Sequence, residues 1–318
     1  MVAFLRADGS TGKCEAGVIK TSLGSFRGWY CASGYTLLTI NSRGAIYGNV
    51  CKSGKTYGNI YEGDFELPRS FIICDKAACH CSSDLKIPKG KTLEDIKAIL
   101  AIKDRYIQPS KDLTDVVAIR RYSTGPRVFC VDWSIGTRCN YDCSYCSPAQ
   151  HSKTKPHLSL ERWCTAWDLL YSKINTQPDI LLTILGGEPT INPNYLQMLS
   201  YASKPNVKIV TTTNGTAHVD KLKHIMSYGG LCISIHLEYC NIPKMIHKIH
   251  ELAYHINDYN FLNISFMMPP GRSQDYLDFR ASIPTVKRLG IEAVPIFENS
   301  TKMLLHYEQH EIDIINNY

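Results

Sequence analysis

The sequence predicts an α/β fold in which a partial (β/α)6 barrel follows a small cysteine-rich β-hairpin module. Two observations predict this fold. After Val128 six apolar runs recur, and each run but the last is followed by a segment that could be helical. Before Val128 the chain is rich in glycine and cysteine. The six later runs are FCVDWSI, DILLTIL, VKIVTTT, LCISIHL, FLNISFM and IEAVPIF.

The spacing of these runs favours a parallel sheet. Intervals of roughly 25 to 50 residues leave room for a right-handed helical crossover between successive strands. A doubly wound sheet is the alternative to the partial barrel. In either architecture the reactive groups belong at the carboxyl ends of the strands, and the candidate residues are sought there.

The composition is that of an ordinary globular protein. The chain has 318 residues, of which 44% are apolar and 20% charged, which excludes the disordered and fibrous classes. Nothing approaches the roughly 18 consecutive apolar residues of a membrane helix, and residues 1–10 turn charged before a signal-peptide core could form. We therefore expect a cytoplasmic protein with no membrane partner, while the oligomeric state is left open.

The net charge of +6 is concentrated in the first part of the chain. Before Val128 there are 19 Lys and Arg against 12 Asp and Glu, a balance of +7, whereas the remainder has 16 against 17, a balance of −1. A basic region of this kind could attract nucleic acid or an acidic peptide, although a solvated surface is the commoner outcome.

Residues 1–85 form the predicted cysteine-rich module. Two strands are expected at residues 36–40 and 45–50, joined by a turn over residues 41–44. The module shows little apolar sequence, so metal ligation is expected to take the place of a core. The 13 cysteines are an odd number and too sparse for a disulfide scaffold, which favours reduced, metal-binding or catalytic thiols.

The next predicted segment is a helical connector over residues 86–128. A helix is expected from Thr92 to Gln108, with Thr92 and Asp95 forming a capping box. The segment 123–126, STGP, then breaks regular structure. The barrel is assigned to residues 129–297, and residues 298–318 are left as a C-terminal tail or helix.

Three cysteines follow the first barrel strand directly. Cys139, Cys143 and Cys146 have the spacing C-x3-C-x2-C in a loop of turn-forming residues. Thiolates are the soft ligands that iron–sulfur clusters or zinc select, and three of them leave one metal position open for a ligand that is not protein. A zinc knuckle with a fourth ligand such as Cys130, Cys164 or His151 is the alternative.

This motif, with the aromatic Tyr145 just before the last cysteine, resembles that of the radical S-adenosylmethionine (radical SAM) superfamily. The resemblance implies a [4Fe–4S] cluster held by Cys139, Cys143 and Cys146. Its unique iron would bind the amino and carboxylate groups of S-adenosylmethionine, with Tyr145 against the adenine. An external donor such as flavodoxin or ferredoxin would supply one electron. The 5′-deoxyadenosyl radical released would abstract hydrogen from substrate, so no catalytic side chain is assigned beyond the cluster.

The second strand ends in Gly186, Gly187, Glu188 and Pro189, which matches the second motif of the same family. Two glycines let a backbone approach a ligand where a Cβ would intrude, and a carboxylate beyond them can accept hydrogen bonds from an ammonium group. By the resemblance, that ammonium is the α-amine of the methionine part.

Strands three and four also end in polar residues. Thr213 and Asn214 close strand three, and Ser234, His236 and Glu238 close strand four. The resemblance makes Ser234 a candidate contact of the ribose or carboxylate of S-adenosylmethionine, with Asn214 in a similar role. His236 is grouped with these candidates. His236 and Glu238 could face substrate or exchange protons, and the alternative is an oriented structural pair.

The early cysteines suggest a second metal site. Cys31, a hairpin, Cys51, a Gly-Asn-Ile turn, and the group Cys74, Cys79 and Cys81 resemble the auxiliary-cluster modules called SPASM and twitch. Four of these five thiols would hold an auxiliary [4Fe–4S] cluster, and a zinc ribbon is the alternative. In most members of the family this module follows the barrel, whereas here it precedes it.

The substrate is predicted by the resemblance alone. Relatives with auxiliary clusters mostly modify peptides or proteins, so a peptide or protein substrate is the first choice. Modification of a nucleotide or RNA, or oxidation of a small molecule, is the second choice. A non-catalytic iron–sulfur or zinc protein is the third, and Gly186, Gly187 and Glu188 argue against it.

Overall fold

The chain folds into two compact units in a computed structural model. The structure describes residues 1–14, 18–19, 22–51, 54, 56–77, 79, 87–103, 106–121, 128–297 and 305–316. The first unit comprises residues 1–132 and 169–180, and the second comprises 133–168 and 181–318. The predicted break at 123–126 and the candidate ligand Cys81 lie outside the described residues. No helix in the described ranges is long and apolar enough to cross a membrane.

The first unit is built on an antiparallel sheet. Its strands are β1 (Val2–Arg6), β2 (Thr11–Cys14), β3 (Tyr30–Cys31), β4 (Leu37–Ile40), β5 (Ile46–Tyr47), β6 (Gly58–Asn59), β7 (Asp64–Phe65), β8 (Ile72–Ile73), β9 (Lys89–Gly90) and β10 (Val116–Arg121). Six of them form one sheet in the order β2-β1-β10-β9-β3-β8. Strands β4 and β5 pair as a hairpin, as do β6 and β7.

The β4–β5 hairpin confirms the predicted pair of strands, but its second strand is shorter than expected. It ends at Tyr47 rather than at Val50. The chain leaves the ladder at Gly48, whose carbonyl accepts a hydrogen bond from the Gly34 amide at 3.1 Å. A Cβ at Gly48 would lie 2.3 Å from the Ser33 hydroxyl oxygen and 2.5 Å from the Gly34 amide nitrogen. Gly48 therefore packs closely against residues 33 and 34 at the point where the strand ends.

The expectation that the first unit has little apolar core is wrong. Strands β1 and β10 pair in antiparallel register, with Phe4 opposite Ile119, although more than a hundred residues separate them. Among the described residues one buried cluster comprises Val2, Phe4, Cys14, Ile19, Phe26, Cys74, Val116 and Ile119. Burying each large apolar side chain stabilises the fold by about 1.5–3 kcal/mol, so this cluster is an apolar core of the unit.

Helix α1 (Leu93–Ala101) confirms the predicted helix start but ends earlier than Gln108. Its capping box is present, with the Asp95 amide donating to the Thr92 hydroxyl at 3.1 Å. At the other end the buried Arg120 side chain donates to the carbonyls of Ile99 at 2.7 Å and Ile102 at 2.8 Å. These bonds satisfy the last carbonyls of the helix, and Ile102 is already extended.

The six predicted barrel strands are all present, and each lies within a few residues of its apolar run. They are β11 (Phe129–Ser134), β12 (Ile180–Leu185), β13 (Val207–Thr213), β14 (Gly229–His236), β15 (Leu262–Met268) and β16 (Leu289–Pro295). The helices among the described residues after β11 are α2 (Leu160–Ile174), α3 (Tyr195–Ala202), α4 (Val219–Met226), α5 (Ile242–Ala253), α6 (Ser273–Ala281) and α7 (Gln309–Asn316).

These strands lie side by side in chain order, from β11 to β16. The pairs β13–β14, β14–β15 and β15–β16 are parallel, as predicted. A doubly wound sheet reverses its strand order at a switch point, and this sheet does not, so that alternative is excluded. A single sense of winding brings all six carboxyl ends to one edge.

The two faces of this sheet differ in polarity. On β14, Leu231, Ile233 and Ile235 are fully buried, and on β15 the ring of Phe266 packs edge-on against Tyr276 of α6 at 5.5 Å. The other face carries polar side chains, of which Ser234 and Ser265 are half-buried and Glu292 is exposed. Ser234 on this face is in register with Ser265, which in turn is in register with Glu292. The helices therefore cover one face and leave a polar face that leads up to the carboxyl ends.

Candidate functional site

The cysteine loop, defined as residues 136–146, lies at the carboxyl end of β11. The Ile135 amide donates to the Leu185 carbonyl at 2.9 Å, which aligns the ends of β11 and β12. Cys143 is buried, while Cys139 and Cys146 are partly exposed. The Cys146 amide donates to the Cys143 carbonyl at 3.0 Å, so the last two cysteines share a tight turn. All three thiols thus lie at the predicted edge of the sheet.

The two glycines after β12 make room for the cysteine loop. A Cβ at Gly187 would lie 2.3 Å from the Arg138 carbonyl oxygen, and one at Gly186 would lie 2.6 Å from the Gly136 carbonyl oxygen. Two hydrogen bonds close this contact, from the Gly187 amide to Gly136 at 3.0 Å and from the Glu188 amide to Arg138 at 2.8 Å. The glycines therefore make room for the backbone of residues 136–138. Their predicted contact with a ligand stays a prediction.

Glu188 joins the ends of β12 and β13. Its carboxylate is buried and accepts hydrogen bonds from the Thr190 amide at 3.0 Å, the Thr190 hydroxyl at 2.5 Å, the Thr213 hydroxyl at 2.7 Å and the Asn214 amide at 2.6 Å. Three of these donors reach Oε1 and only the Asn214 amide reaches Oε2, so Oε2 keeps an acceptor position. An ammonium group, as predicted, would share an oxygen with one of these donors.

Asn214 continues the connection from β13 to the cysteine loop. Its side-chain amide donates to the Asn140 side-chain oxygen at 2.9 Å, and Asn140 donates to the Thr216 hydroxyl at 3.0 Å. The Thr216 hydroxyl donates back to Asn214 at 2.7 Å. Asn140 and Thr216 were not singled out in the sequence, because polar residues in loops are common and nothing local shows which ones meet.

His236, at the end of β14, holds Tyr145. The two rings are stacked with their centroids 5.9 Å apart, and the Tyr145 hydroxyl lies 2.8 Å from His236 Nδ1. Burial lowers the pKa of His236 to about 4. The imidazole is therefore neutral at physiological pH, and its Nδ1 shares one hydrogen bond with the tyrosine hydroxyl.

Glu238 and Tyr239 bind the same loop. The Glu238 carboxylate accepts hydrogen bonds from the Ser144 amide at 2.8 Å and from the Ser144 hydroxyl. The Tyr239 hydroxyl donates to the Asp142 carbonyl at 2.9 Å, and its ring stacks on Tyr141 with centroids 5.1 Å apart. His236 and Glu238 therefore both bind the cysteine loop, and their contact with substrate or cofactor stays a prediction. Ser234 lies two residues earlier, half-buried on the polar face of β14.

The start of the cysteine loop is held by residues that follow it. The Cys139 amide donates to the Ser152 carbonyl at 2.9 Å, and the Lys153 ammonium donates to the Asn140 carbonyl at 2.8 Å. His151 Nε2 lies 2.7 Å from an Asp142 carboxylate oxygen. His151, a predicted alternative zinc ligand, is therefore engaged by Asp142.

Thiols are suited chemically to an iron–sulfur cluster, and two of the three have raised pKa values. Burial raises the pKa of Cys143 to about 11, the nearby Glu238 carboxylate adds to the rise, and burial also raises the pKa of Cys139. Both are protonated at neutral pH until a metal displaces the protons. Among the described residues no three His, Cys, Asp or Glu side chains are close enough to hold one metal ion.

The candidate auxiliary cysteines of the first unit are dispersed. Cys31 lies on β3 in a small core with Leu37, whereas Cys74 and the partly buried Cys79 belong to the larger core that also contains Cys14. Cys51 is exposed. The described thiols do not converge on one metal ion, and their assignment as cluster ligands stays a prediction.

Gly187→Ala should displace the cysteine loop, because the added Cβ would meet the Arg138 carbonyl oxygen at 2.3 Å. We expect the free energy of unfolding in urea to fall by about 1–3 kcal/mol, and amide exchange in residues 136–146 to accelerate. Gly136→Ala is the matched control, because a Cβ there meets nothing within 4 Å. Equal stability and equal exchange in the two variants would show that the close approach does not position the loop.

Comparison with known proteins places this site in a family. Residues 133–259 match the model of the radical SAM superfamily. A stretch of 132 residues is 31% identical to GTP 3′,8-cyclase of Shewanella denitrificans, covering 39% of this chain and 37% of that protein. A stretch of 86 residues is 28% identical to mycofactocin maturase MftC of Mycobacterium tuberculosis, covering 27% of this chain and 21% of that protein.

The matches thus span less than two fifths of these curated relatives. Among solved structures, Streptococcus suis SuiB bound to S-adenosylmethionine aligns with a TM-score of 0.44 and 14% identity, over 59% of this chain and 46% of that chain. The family match covers the cysteine loop, the Gly-Gly-Glu motif and the ends of β13 and β14. Residues 133–259 are therefore a domain of the radical SAM superfamily.

Proposed function

We propose that this protein is a radical SAM enzyme that cleaves S-adenosylmethionine at a [4Fe–4S] cluster bound by Cys139, Cys143 and Cys146. One observation supports this most directly. The loop that carries the three thiols lies at the carboxyl edge of a parallel sheet, and the Gly-Gly-Glu motif of the next strand is bonded to its backbone. We further propose that the sheet curves into the partial (β/α)6 barrel, with the polar face of β14 inside.

The residues of the chain would position and shield the reaction. When bound, the cluster would supply the electron that splits S-adenosylmethionine into methionine and a 5′-deoxyadenosyl radical. Glu188 would accept hydrogen bonds from the methionine ammonium, and Ser234 would bind the ribose or carboxylate. Tyr145, held by His236, would present its free edge to the adenine. No side chain is required as a nucleophile, since the cofactor carries the difficult chemistry.

The partners follow from this chemistry. We propose that a flavodoxin or ferredoxin donates the electron, and Cys139 and Cys146 are partly exposed, as such a transfer would require. We also place the protein in a reducing, cytoplasmic compartment. The 13 cysteines are an odd number and too sparse for a disulfide scaffold, and thiols persist where glutathione and thioredoxin keep them reduced.

Cys143→Ala should abolish this activity, because it removes one of three cluster ligands. After anaerobic reconstitution we expect the variant to lose about four irons per chain, and the release of 5′-deoxyadenosine with dithionite and S-adenosylmethionine to fall to background. Cys164→Ala, a substitution of a thiol on α2, is the control and should match the wild type. Unchanged 5′-deoxyadenosine release from Cys143→Ala would remove the enzyme hypothesis.

We propose that four of Cys31, Cys51, Cys74, Cys79 and Cys81 hold an auxiliary [4Fe–4S] cluster. The resemblance to SPASM and twitch modules supports this assignment. In the structure Cys31 lies on β3 and Cys74 directly follows β8, its antiparallel neighbour. A zinc ribbon at the same cysteines is the competing assignment.

The metal content separates these two assignments. We expect reconstituted wild type to hold about eight irons per chain, and a variant with Cys139, Cys143 and Cys146 all replaced by Ala to retain about four. Metal analysis by mass spectrometry measures both values. A triple variant that contains about one zinc and no iron would establish the ribbon instead.

For the substrate we propose a peptide or protein, because the module that residues 31–81 resemble accompanies peptide-modifying relatives. A nucleotide is the second candidate, favoured by the relative named GTP 3′,8-cyclase and by the basic first part of the chain.

Deuterium transfer can distinguish the two substrate classes. Extracts of cells grown in deuterated medium would be incubated with the enzyme and unlabelled S-adenosylmethionine. We expect deuterium in the 5′-deoxyadenosine, measured by mass spectrometry, and we expect protease treatment of the extract to remove the label. Cys143→Ala provides the blank. Label that survives protease but disappears after nuclease and phosphatase treatment would assign the nucleotide class.

A further inference from the structure

We propose that His236, Glu238 and Tyr239, here named the strand-end latch, hold the cysteine loop in its cluster-binding form before any cluster is present. Glu238 is the central positioning residue. The inference rests on the proposed function, since the loop is taken to bind a cluster. It assigns to the end of β14 a role in preparing the thiols, in place of substrate contact or proton transfer.

The three contacts of the latch converge on one short stretch of the loop. Tyr239 binds the carbonyl of Asp142, Glu238 binds the amide and hydroxyl of Ser144, and His236 binds the hydroxyl of Tyr145. This stretch begins one residue before Cys143 and ends one residue before Cys146. The latch therefore fixes the backbone on both sides of the one cysteine of the three that is buried.

The latch itself is a rigid turn. The amides of Tyr239 and Cys240 both donate to the His236 carbonyl, at 3.0 Å and 2.8 Å. Helix α5 begins directly afterwards, and Asn241 caps it by accepting a hydrogen bond from the Lys244 amide at 3.1 Å. A strand, a tight turn and a capped helix thus set the positions of all three latch side chains. The loop is held against a fixed element rather than against a second loop.

Glu238 makes the contact that most directly fixes the backbone. Its carboxylate accepts from both Ser144 donors, and hydrogen bonds to an ionised acceptor are stronger than neutral ones. Because Glu238 and Ser144 are exposed, solvent weakens the contact, and a moderate effect is expected.

The first half of the loop is held by different elements. Ser152, Lys153 and Asn214 bind Cys139 and Asn140, and none of these contacts involves the latch. Loss of the latch should therefore free residues 141–146 while residues 136–140 stay protected. Such a local pattern separates positioning of the thiols from a general contribution to folding.

Hydrogen exchange of the cluster-free protein tests this inference without iron. In Glu238→Ala we expect the Ser144 amide to exchange about three to ten times faster than in wild type, with residues 136–140 unchanged. Ser144→Ala removes only the hydroxyl hydrogen bond and should accelerate exchange less. The double variant should exchange no faster than Glu238→Ala, because both substitutions act on the same Ser144–Glu238 contact. The matched control is Glu292→Ala, which breaks a 2.9 Å Ser265–Glu292 hydrogen bond elsewhere in the second unit.

Cluster loss provides a second readout. With a chelator present we expect Glu238→Ala to release iron from the reconstituted cluster roughly ten times faster than wild type. Loss of a residue that supports metal ligands commonly weakens metal binding by at least this factor. Glu238→Gln, which keeps one acceptor oxygen, should give an intermediate rate. Unchanged Ser144 exchange in Glu238→Ala, or exchange raised equally across both units, would overturn the latch. A wild type that takes up no iron while its exchange pattern holds would instead count against the proposed function.

Discussion

The close approach between the backbones of residues 136–138 and 186–187 is the contact on which the rest of the site depends. It exists only because two glycines end β12, since a Cβ at either one would collide with a carbonyl oxygen of the loop. Two short hydrogen bonds then fasten the first turn of the loop to the next strand. A contact between two backbones tolerates little variation in geometry. It therefore fixes the position of the loop just before the first thiol, Cys139.

Beyond that contact, residues at the ends of β12, β13 and β14 form a connected set of hydrogen bonds with the cysteine loop. Glu188 joins the end of β12 to Thr213 and Asn214 of β13, and Asn214 in turn binds Asn140. The end of β14 contributes His236, which binds Tyr145. This convergence requires a parallel sheet wound in one sense, because only then do successive strands deliver their last residues to the same edge. The polar groups there bind one another and the cysteine loop.

Several sequence-based predictions held because their causes are local. The six strands follow from apolar runs in a sheet whose one face is fully buried, and the start of α1 follows from the Thr92–Asp95 capping box. Others were wrong because the cause lies far along the chain. Helix α1 stops early when Arg120 takes its last carbonyls, and the core of the first unit depends on β1 meeting β10. Arg120 and β10 both lie too far along the chain from the segments they contact to be identified from the local sequence.

The sequence alone determined the chemistry of the site: which residues are thiols, where two adjacent glycines stand, and that both motifs end buried strands. Spacing along a chain is enough for this, because ligand type and strand periodicity are local properties. Only the tertiary structure decided which groups act on one another. Ser144 and Glu238 are 94 residues apart, and the ends of two strands had to be brought together before this carboxylate could meet that amide. Such non-local partners decide which loop a polar side chain at a strand end binds.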